Sequence, residues 1–421
     1  MNIFKKSFAF MACIAFSVML SLSVYAADTN YRYLVINGKN AAVDSGGRPV
    51  NIDGTVYVPL RSVFDALNDG SGSMDWDNEN NVEILTLKGV SMKLWLNSPQ
   101  AEVNGVQADI PGGASPRMVN DRVYAPLNFI ADKLNMVSGY SDLYSTVSIV
   151  DKDDYSQINE LLSNNGAGSS KVSMNVSLSA AETIDVPQDG AGFDTNADPD
   201  VSYSYEMVGD SMEISGLVQM DTGEEFAHMV LTGIYPGQES ASVEYYILGD
   251  VMFINDGISG WQVTSSADSP LDMTLLDPSP DAVMGPAGIA EAMGDENSFD
   301  PLLFFGLSKD DNGDLCVFGV ISDPSGETGI YEDGDVPASE RMSLKYVFDK
   351  DTKILKAAKM GLDITLFGDG MGKYSLSMNY SFDNIDVSPD FESAVPDAVV
   401  NNAREMDNSF ENQALAHREK F

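Results

Sequence analysis

The sequence predicts an α+β protein in two parts: a small tandem-repeat domain of β-hairpins and short helices, then a mainly antiparallel β domain with few helices. Two observations predict the first part. Asn37-Gly38 recurs as Asn104-Gly105, and Val56-Tyr57-Val58-Pro59-Leu60 recurs as Val123-Tyr124-Ala125-Pro126-Leu127, both at an offset of 67 residues. Two motifs that share one spacing mark a duplicated supersecondary unit. A third observation predicts the second part: beyond residue 170, alternating apolar runs follow one another with turn residues between them.

In chain order, Lys5 and Lys6 precede an apolar run from Phe8 to Val24, and Val24-Tyr25-Ala26 has the form of a signal-peptidase site. Residues 1–26 therefore read as a signal peptide, and the mature chain begins at Ala27. The run is long enough for an uncleaved anchor, but the cleavage pattern at its end argues for removal. A lipoprotein reading at Cys13 leaves only Ser7 to Ala12 as the apolar region, shorter than the roughly 7 to 15 residues of a signal core.

In each repeat the Asn-Gly pair turns a hairpin, its Gly accepting the positive φ that such a turn demands. Leu34-Val35-Ile36 leads into the first turn. Met92-Lys93-Leu94-Trp95-Leu96, then Ala101 and Val103, lead into the second. Pro59 and Pro126 are expected at the first helical position, where a missing N–H costs nothing. Leu60, Val63, Phe64 and Leu67 fall at i, i+3, i+4 and i+7, and Leu127, Ile130, Ala131 and Leu134 repeat that spacing, so each helix buries one stripe. Closing strands follow at Val82–Leu85, with Trp76 just ahead, and at Thr146–Val150. One such unit is too small to hold a core, so the two copies should pack as one domain.

The Asn-Gly turn, Asp53-Gly54-Thr55-Val56-Tyr57-Val58-Pro59-Leu60-Arg61 and Trp76-Asp77 together resemble the copper amine oxidase N-terminal-like domain. This stalk domain is common in exported proteins of Gram-positive bacteria, and the resemblance spans about residues 31–152. The second copy departs modestly: Asn120-Asp121-Arg122 replaces Asp-Gly-Thr, Asn128 stands at the arginine position, and Tyr140-Ser141-Asp142 replaces Trp-Asp. The resemblance implies a non-catalytic appendage, because the oxidases' catalytic domain has no counterpart here. Their copper site uses three histidines, whereas this chain has only His228 and His417. Their cofactor-forming tyrosine lies in a Thr-x-x-Asn-Tyr-acid motif, but Asn379-Tyr380 has Leu376 and Ser381 at the threonine and acid positions.

From Asp153 a short helical piece, Ile158 to Leu162, gives way to Asn164-Asn165-Gly166-Ala167-Gly168-Ser169-Ser170, a flexible linker by composition. Strands are then expected at Val172–Leu178, Val201–Met207, Phe226–Ile234, Val243–Ile254, Leu315–Ile321, Met342–Phe348, Ile354–Thr365 and Tyr374–Phe382. One helix is expected from about Pro280 to Met293, interrupted at Gly285-Pro286. The chain therefore divides into a signal peptide (1–26), the tandem domain (27–152), a linker (153–170), the β domain (171–405) and a polar tail (406–421). Tyr245-Tyr246-Ile247-Leu248-Gly249-Asp250 through Gly260-Trp261, the hairpin Tyr346–Thr352, and Tyr380-Ser381-Phe382 with Val395-Pro396-Asp397 are similar to half-barrel proteins of the periplasmic lipoprotein-carrier type. That resemblance implies a curved sheet or half-barrel around an apolar cavity.

The 24 basic and 64 acidic residues give a net charge of −40, spread along the chain, a field that repels nucleic acid and anionic surfaces and keeps an exported protein dispersed. Without the signal, Cys316 is the one cysteine left, so no intrachain disulfide framework exists. Cys316 lies in the apolar run Leu315-Cys316-Val317-Phe318 and reads as an inert core thiol, and His228 as a strand residue with a hydrogen-bond partner. Ser308-Lys309-Asp310-Asp311-Asn312-Gly313-Asp314 superficially resembles a calcium loop, but Gly319 stands where the closing glutamate belongs, so it reads as a hairpin turn. Asp194 to Asp200 is an acidic loop without ligand spacing. No Gly-x-Ser-x-Gly elbow, phosphate loop or zinc helix is present.

Fourteen of the 21 methionines lie beyond residue 170, including Met207, Met212, Met220, Met229, Met252, Met342, Met360 and Met378. They either fill the concave face of the sheet or line a surface that adapts to greasy ligands. The expectation is a secreted, non-enzymatic cell-envelope protein of a Gram-positive-type bacterium. Its stalk positions or docks it, and its β domain binds a lipid, acyl chain or hydrophobic peptide in a cavity lined by these methionines and Trp261. No cofactor, metal or nucleic acid is expected, and no ligand-binding residue is singled out. The alternative is a structural or interaction protein that holds wall polymer or an envelope protein and has a solidly packed β domain.

Overall fold

The computed structural model describes residues 31–41, 43, 47–141, 145–164, 171–187, 205–221, 223–234, 241–265, 300–323, 338–368, 372–386 and 389–405. The signal segment, Asp194–Asp200, the expected helix at 280–293 and the polar tail with His417 lie outside them.

The first repeat runs β1 (Tyr33–Ile36), β2 (Lys39–Asn40), β3 (Val50–Ile52), β4 (Thr55–Pro59), α1 (Leu60–Leu67), β5 (Ser73–Asp77) and β6 (Val82–Leu87). The second runs β7 (Val90–Trp95), β8 (Gln100–Val103), β9 (Val106–Asp109), β10 (Arg117–Val119), β11 (Arg122–Pro126), α2 (Leu127–Lys133), β12 (Met136–Ser141) and β13 (Thr146–Asp151). Both Asn-Gly turns carry positive φ at both residues, 48° and 73° in the first and 50° and 79° in the second, as two-residue hairpins of this twist require. Each proline sits one residue earlier than expected. Pro59 and Pro126 end their strands in extended backbone, and the helices begin at Leu60 and Leu127. Leu60, Val63, Phe64, Leu127, Ile130, Ala131 and Leu134 are buried as their spacing predicts, and Leu67 is partly buried.

The two copies are related through the β4–β11 pair. Val58 lies opposite its own counterpart Ala125, with Tyr57 opposite Pro126 and Pro59 opposite Tyr124, an arrangement that is its own image under a local two-fold. The outer sheets then exchange parts. One is ordered β12-β13-β1-β2, the other β5-β6-β7-β8-β9, so each combines the hairpin of one repeat with the closing strands of the other. β1 runs parallel to β13, matching Leu34 to Val147 and Ile36 to Ile149. Helices and sheets share one core around Leu34, Leu60, Leu94, Leu127 and Ile149, and neither copy encloses a core by itself.

The expected linker opens with a helix of 13 residues, α3 (Lys152–Asn164). Ile158, Leu161 and Leu162 on it are buried, which tethers the helix to the sheets on both sides. The remaining linker residues, 165–170, lie outside the described set.

Beyond it come β14 (Lys171–Pro187), β15 (Tyr205–Asp221), β16 (Phe226–Ile234), β17 (Ala241–Leu248), β18 (Val251–Asn255) and β19 (Trp261–Ser265). A 3-10 turn at Pro301–Phe304 precedes β20 (Phe305–Lys309), β21 (Leu315–Asp323), β22 (Ala338–Phe348), β23 (Leu355–Gly368) and β24 (Gly372–Asp386). A helix α4 (Asp397–Asn402) and a short β25 (Arg404–Glu405) close the described chain. These strands form one half-barrel sheet of twelve, in which two meanders, β14 to β19 and β20 to β24, are zipped together along β14 and β24. The run expected over Val243–Ile254 is broken into β17 and β18 by a turn at Gly249.

Each edge of the sheet meets another part of the chain, which blunts the unpaired backbone that an edge strand presents. β25 pairs with β19 at one edge. At the other, the Asn37-Gly38 turn of the tandem domain meets β20 so closely that a Cβ on Gly306 would lie 1.9 Å from the Asn37 carbonyl oxygen. Val35 and Val150 of the tandem domain, α3, and Leu302 to Phe305 join the half-barrel interior in one continuous cluster. Tyr155 on α3 also donates its hydroxyl to Asp300, whose carboxylate caps the 3-10 turn. The two parts thus share a core rather than hanging on a tether.

Candidate functional site

The inner face of the half-barrel is an apolar surface, and strand register builds it. One row crosses nine strands from β20 to β17: Leu307, Val317, Tyr346, Ala358, Phe382, Val176, Gly216, Leu231 and Val243. Because side chains alternate with period two, the next residues of that parity repeat the pattern, with Leu344, Met360, Tyr380, Leu178 and Ile214 in the adjacent row. Gly216 has no alternative in its row. A Cβ there would meet the Val230 carbonyl oxygen at 1.9 Å, so the close approach of β15 and β16 depends on it.

At the end nearest the tandem domain this face is filled. Met174, Met229, Met252 and Met378 are at most 1% exposed and pack with α3 and the 3-10 turn. Burial also raises the phenol pKa values of Tyr346 and Tyr380. The described methionines serve as core here, and the side chains of Met207, Met212 and Met342 lie outside the described residues. Farther from the tandem domain the ladder continues. Six residues along each strand, Ala338, Leu366, Tyr374, Ile184 and Val208 fall in one row. Six residues span about 20 Å, and the side chains of this row lie outside the described residues.

Trp261 is not part of this face. It pairs with Asn255, whereas Met252 and Ile254 belong to the inner rows. Period two therefore puts Trp261 on the outer face, where its ring lies 5.6 Å from that of Tyr246. The sequence could not reveal this, because β18 and β19 are short and their relative register is set only by pairing.

His228 stands on the same outer face as a satisfied strand residue. Its Nε2 is 2.9 Å from Glu244 Oε1, its Nδ1 is 3.3 Å from Gln219 Oε1, and its ring stacks on Tyr246 with centroids 4.2 Å apart. Cys316 is buried, and burial raises its thiol pKa above the ordinary value. The Asp310–Asp314 segment is a hairpin turn in which the Asn312 and Asp314 amides donate to Asp310 Oδ1. Asp314 in turn accepts from Lys356 Nζ at 2.7 Å and from the Lys350 amide at 3.1 Å, tying this turn to the next hairpin. Among the described residues no group of three or more His, Cys, Asp or Glu side chains is placed to hold a metal ion.

One titratable group escaped the sequence reading. Glu83 lies opposite Trp76 and Leu94, in a row that faces the tandem-domain core, and is only 4% exposed. Burial raises its carboxyl pKa to about 7, against the opposing pull of Arg61.

The architecture is that of an interlocked tandem α+β domain fused to an antiparallel half-barrel. Residues 35–149 match the family model of the copper amine oxidase N-terminal domain, so the tandem part is a domain of that family, occupying a little over a quarter of the chain. No curated protein matches the sequence. Among solved structures, one described as showing lipid-protein interactions in lipovitellin is similar at 11% identity and a TM-score of 0.23. The match covers 54% of this chain and 26% of that one, and a likeness of that degree carries no argument.

Proposed function

We propose that this is an exported, non-catalytic protein of the cell envelope of a Gram-positive-type bacterium, in which the tandem domain positions or docks the molecule and the half-barrel takes up an apolar ligand: a lipid, an acyl chain or a hydrophobic peptide. The observation that carries this reading is the inner face itself. Apolar rows cross nine of its strands, from Leu307 on β20 to Val243 on β17, and the strand pairing runs on for about 13 Å beyond the buried Met378, to Tyr374. An extended apolar face of this kind stabilises a ligand by about 25 cal/mol per Å² of buried apolar surface before the costs of binding are subtracted.

The dense packing of Met174, Met229, Met252 and Met378 favours a second reading, a half-barrel packed solid throughout that serves as a scaffold for wall polymer or an envelope protein. Native mass spectrometry of the protein purified from its own host separates the two. A co-purifying lipid mass supports uptake of an apolar ligand, and a clean apo mass together with no binding of a fluorescent fatty acid refutes it.

A further inference from the structure

We infer that the outer face at the junction of the two domains is a binding surface for a flexible, phosphate-linked polymer, held by a row of lysines drawn from three elements. The row is Lys39, Lys345 and Lys359. Lys39, on β2 of the tandem domain, stands over the ring of Phe318 at 5.6 Å. Phe318 pairs directly with Lys345 on β22, and Lys345 pairs directly with Lys359 on β23. All three lysines are exposed. Neither Lys39 nor Lys345 has an ion pair among the described residues, and Lys359 has one loose contact with Asp383 at 3.8 Å.

Chance does not favour this cluster. In a chain of 64 acids and 24 bases, residues 341–359 hold six of the bases and two of the acids. Like charges directly opposite one another on a sheet, as Lys345 and Lys359 are, are destabilising. Lys350, Lys353 and Lys356 sit at the hairpin tip, where Lys356 is taken up by Asp314, which leaves the row on the flat face free. The row also exists only when the domains are docked, because Lys39 reaches Phe318 through the Asn37-Gly38 turn seated on Gly306.

Lysine binds phosphate as a point charge with three donors; Ser381, the next residue across the sheet from Lys359, gives its hydroxyl to Asp383 and adds no donor. The net charge of −40 does not forbid an anion here. At physiological ionic strength the Debye length is about 8 Å, so a thin chain lying along the row interacts with the lysines and little with distant carboxylates. A rigid duplex cannot follow the row without bringing its other phosphates against the acidic surface. This inference deepens the docking half of the proposed function. The apolar-ligand half is read separately by mass spectrometry, so either can fail alone.

The test uses the full chain, fluorescence anisotropy and a labelled linear polyphosphate, with orthophosphate and duplex DNA as competitors. The wild type should bind polyphosphate at about 0.15 M salt. Lys39→Gln should weaken binding about fivefold and the Lys345→Gln/Lys359→Gln pair about 25-fold, at roughly fivefold per lysine, and each loss should flatten the dependence on salt. A control pair outside the row, Lys93→Gln/Lys133→Gln on β7 and α2 of the tandem domain, should bind as the wild type does. The inference is overturned if the wild type does not bind, if the control pair loses as much as the junction pair, or if orthophosphate or duplex DNA competes as well as the polymer.

Discussion

Replacing Gly306 by Ala tests whether the tandem domain is fixed to the half-barrel. The backbone of Gly306 lies outside the left-handed region, so alanine suffers no strain there and should gain about 0.4–1 kcal/mol from a less flexible unfolded chain. Against this, the new Cβ would lie 1.9 Å from the Asn37 carbonyl oxygen and 2.5 Å from its carbon. Both atoms are backbone, so relief requires the Asn37-Gly38 turn to back away by more than an ångström. Overpacking of this kind costs about 1–3 kcal/mol. For domains of this size that lowers the melting temperature by roughly 2–10 °C. Differential scanning calorimetry should show one transition in the wild type, because Val35, Val150 and α3 belong to the half-barrel's own core. In Gly306→Ala the tandem domain should melt earlier and separately. The dyad supplies an internal control: Gly38 and Gly105 have φ of 73° and 79°, but only Gly38 has neighbours where a Cβ would go. Gly38→Ala should therefore cost more than Gly105→Ala by the price of the contact. A Gly306→Ala melting point within about 1 °C of the wild type, or equal losses at Gly38 and Gly105, would refute the reasoning.

Three further outcomes follow from burial. Leu60→Ala and Leu127→Ala remove dyad-related side chains that are 1% and 2% exposed, and each should cost about 2–5 kcal/mol in urea unfolding; a loss confined to one of them would mean that the copies do not share a core. The raised carboxyl of Glu83 binds a proton in the folded state that the unfolded state releases between its ordinary value of 4.5 and about 7, so stability should decline as pH rises through that window. Glu83→Gln should abolish the decline and gain about 1–3 kcal/mol over the wild type at pH 8, as denaturant midpoints at several pH values would reveal. Cys316, with its buried thiol and raised pKa, should be alkylated by iodoacetamide only in denaturant; peptide mass mapping that finds it modified in the native protein within minutes would contradict its burial.

Local signals carried the tandem domain. Leu60, Val63 and Phe64 share a helical stripe because helix geometry repeats every 3.6 residues, and Asn-Gly turns name themselves through backbone freedom. The same logic found most strands of the half-barrel. It missed β15 beyond Met207, where Gly216 looks like a break but is a point of close approach, and it split no turn within Val243–Ile254, where Gly249 reverses the chain. It also took Ile158–Leu162 for part of a tether, because two or three apolar residues in a polar context say nothing of the surfaces that meet them.

By itself the sequence determined the duplication, the hairpin turns, the buried helical stripes and the family of the first domain, all of which rest on spacings of a few residues or on one repeated offset. Only the tertiary structure decided that the two repeats trade strands about a local two-fold, that Trp261 lies on the opposite face from the methionines, that Glu83 faces a core, and that Lys39 joins Lys345 and Lys359. Each of these depends on which strand lies beside which, and in what register. That choice is set by contacts between residues far apart in the chain, and a one-residue slip would reverse every face.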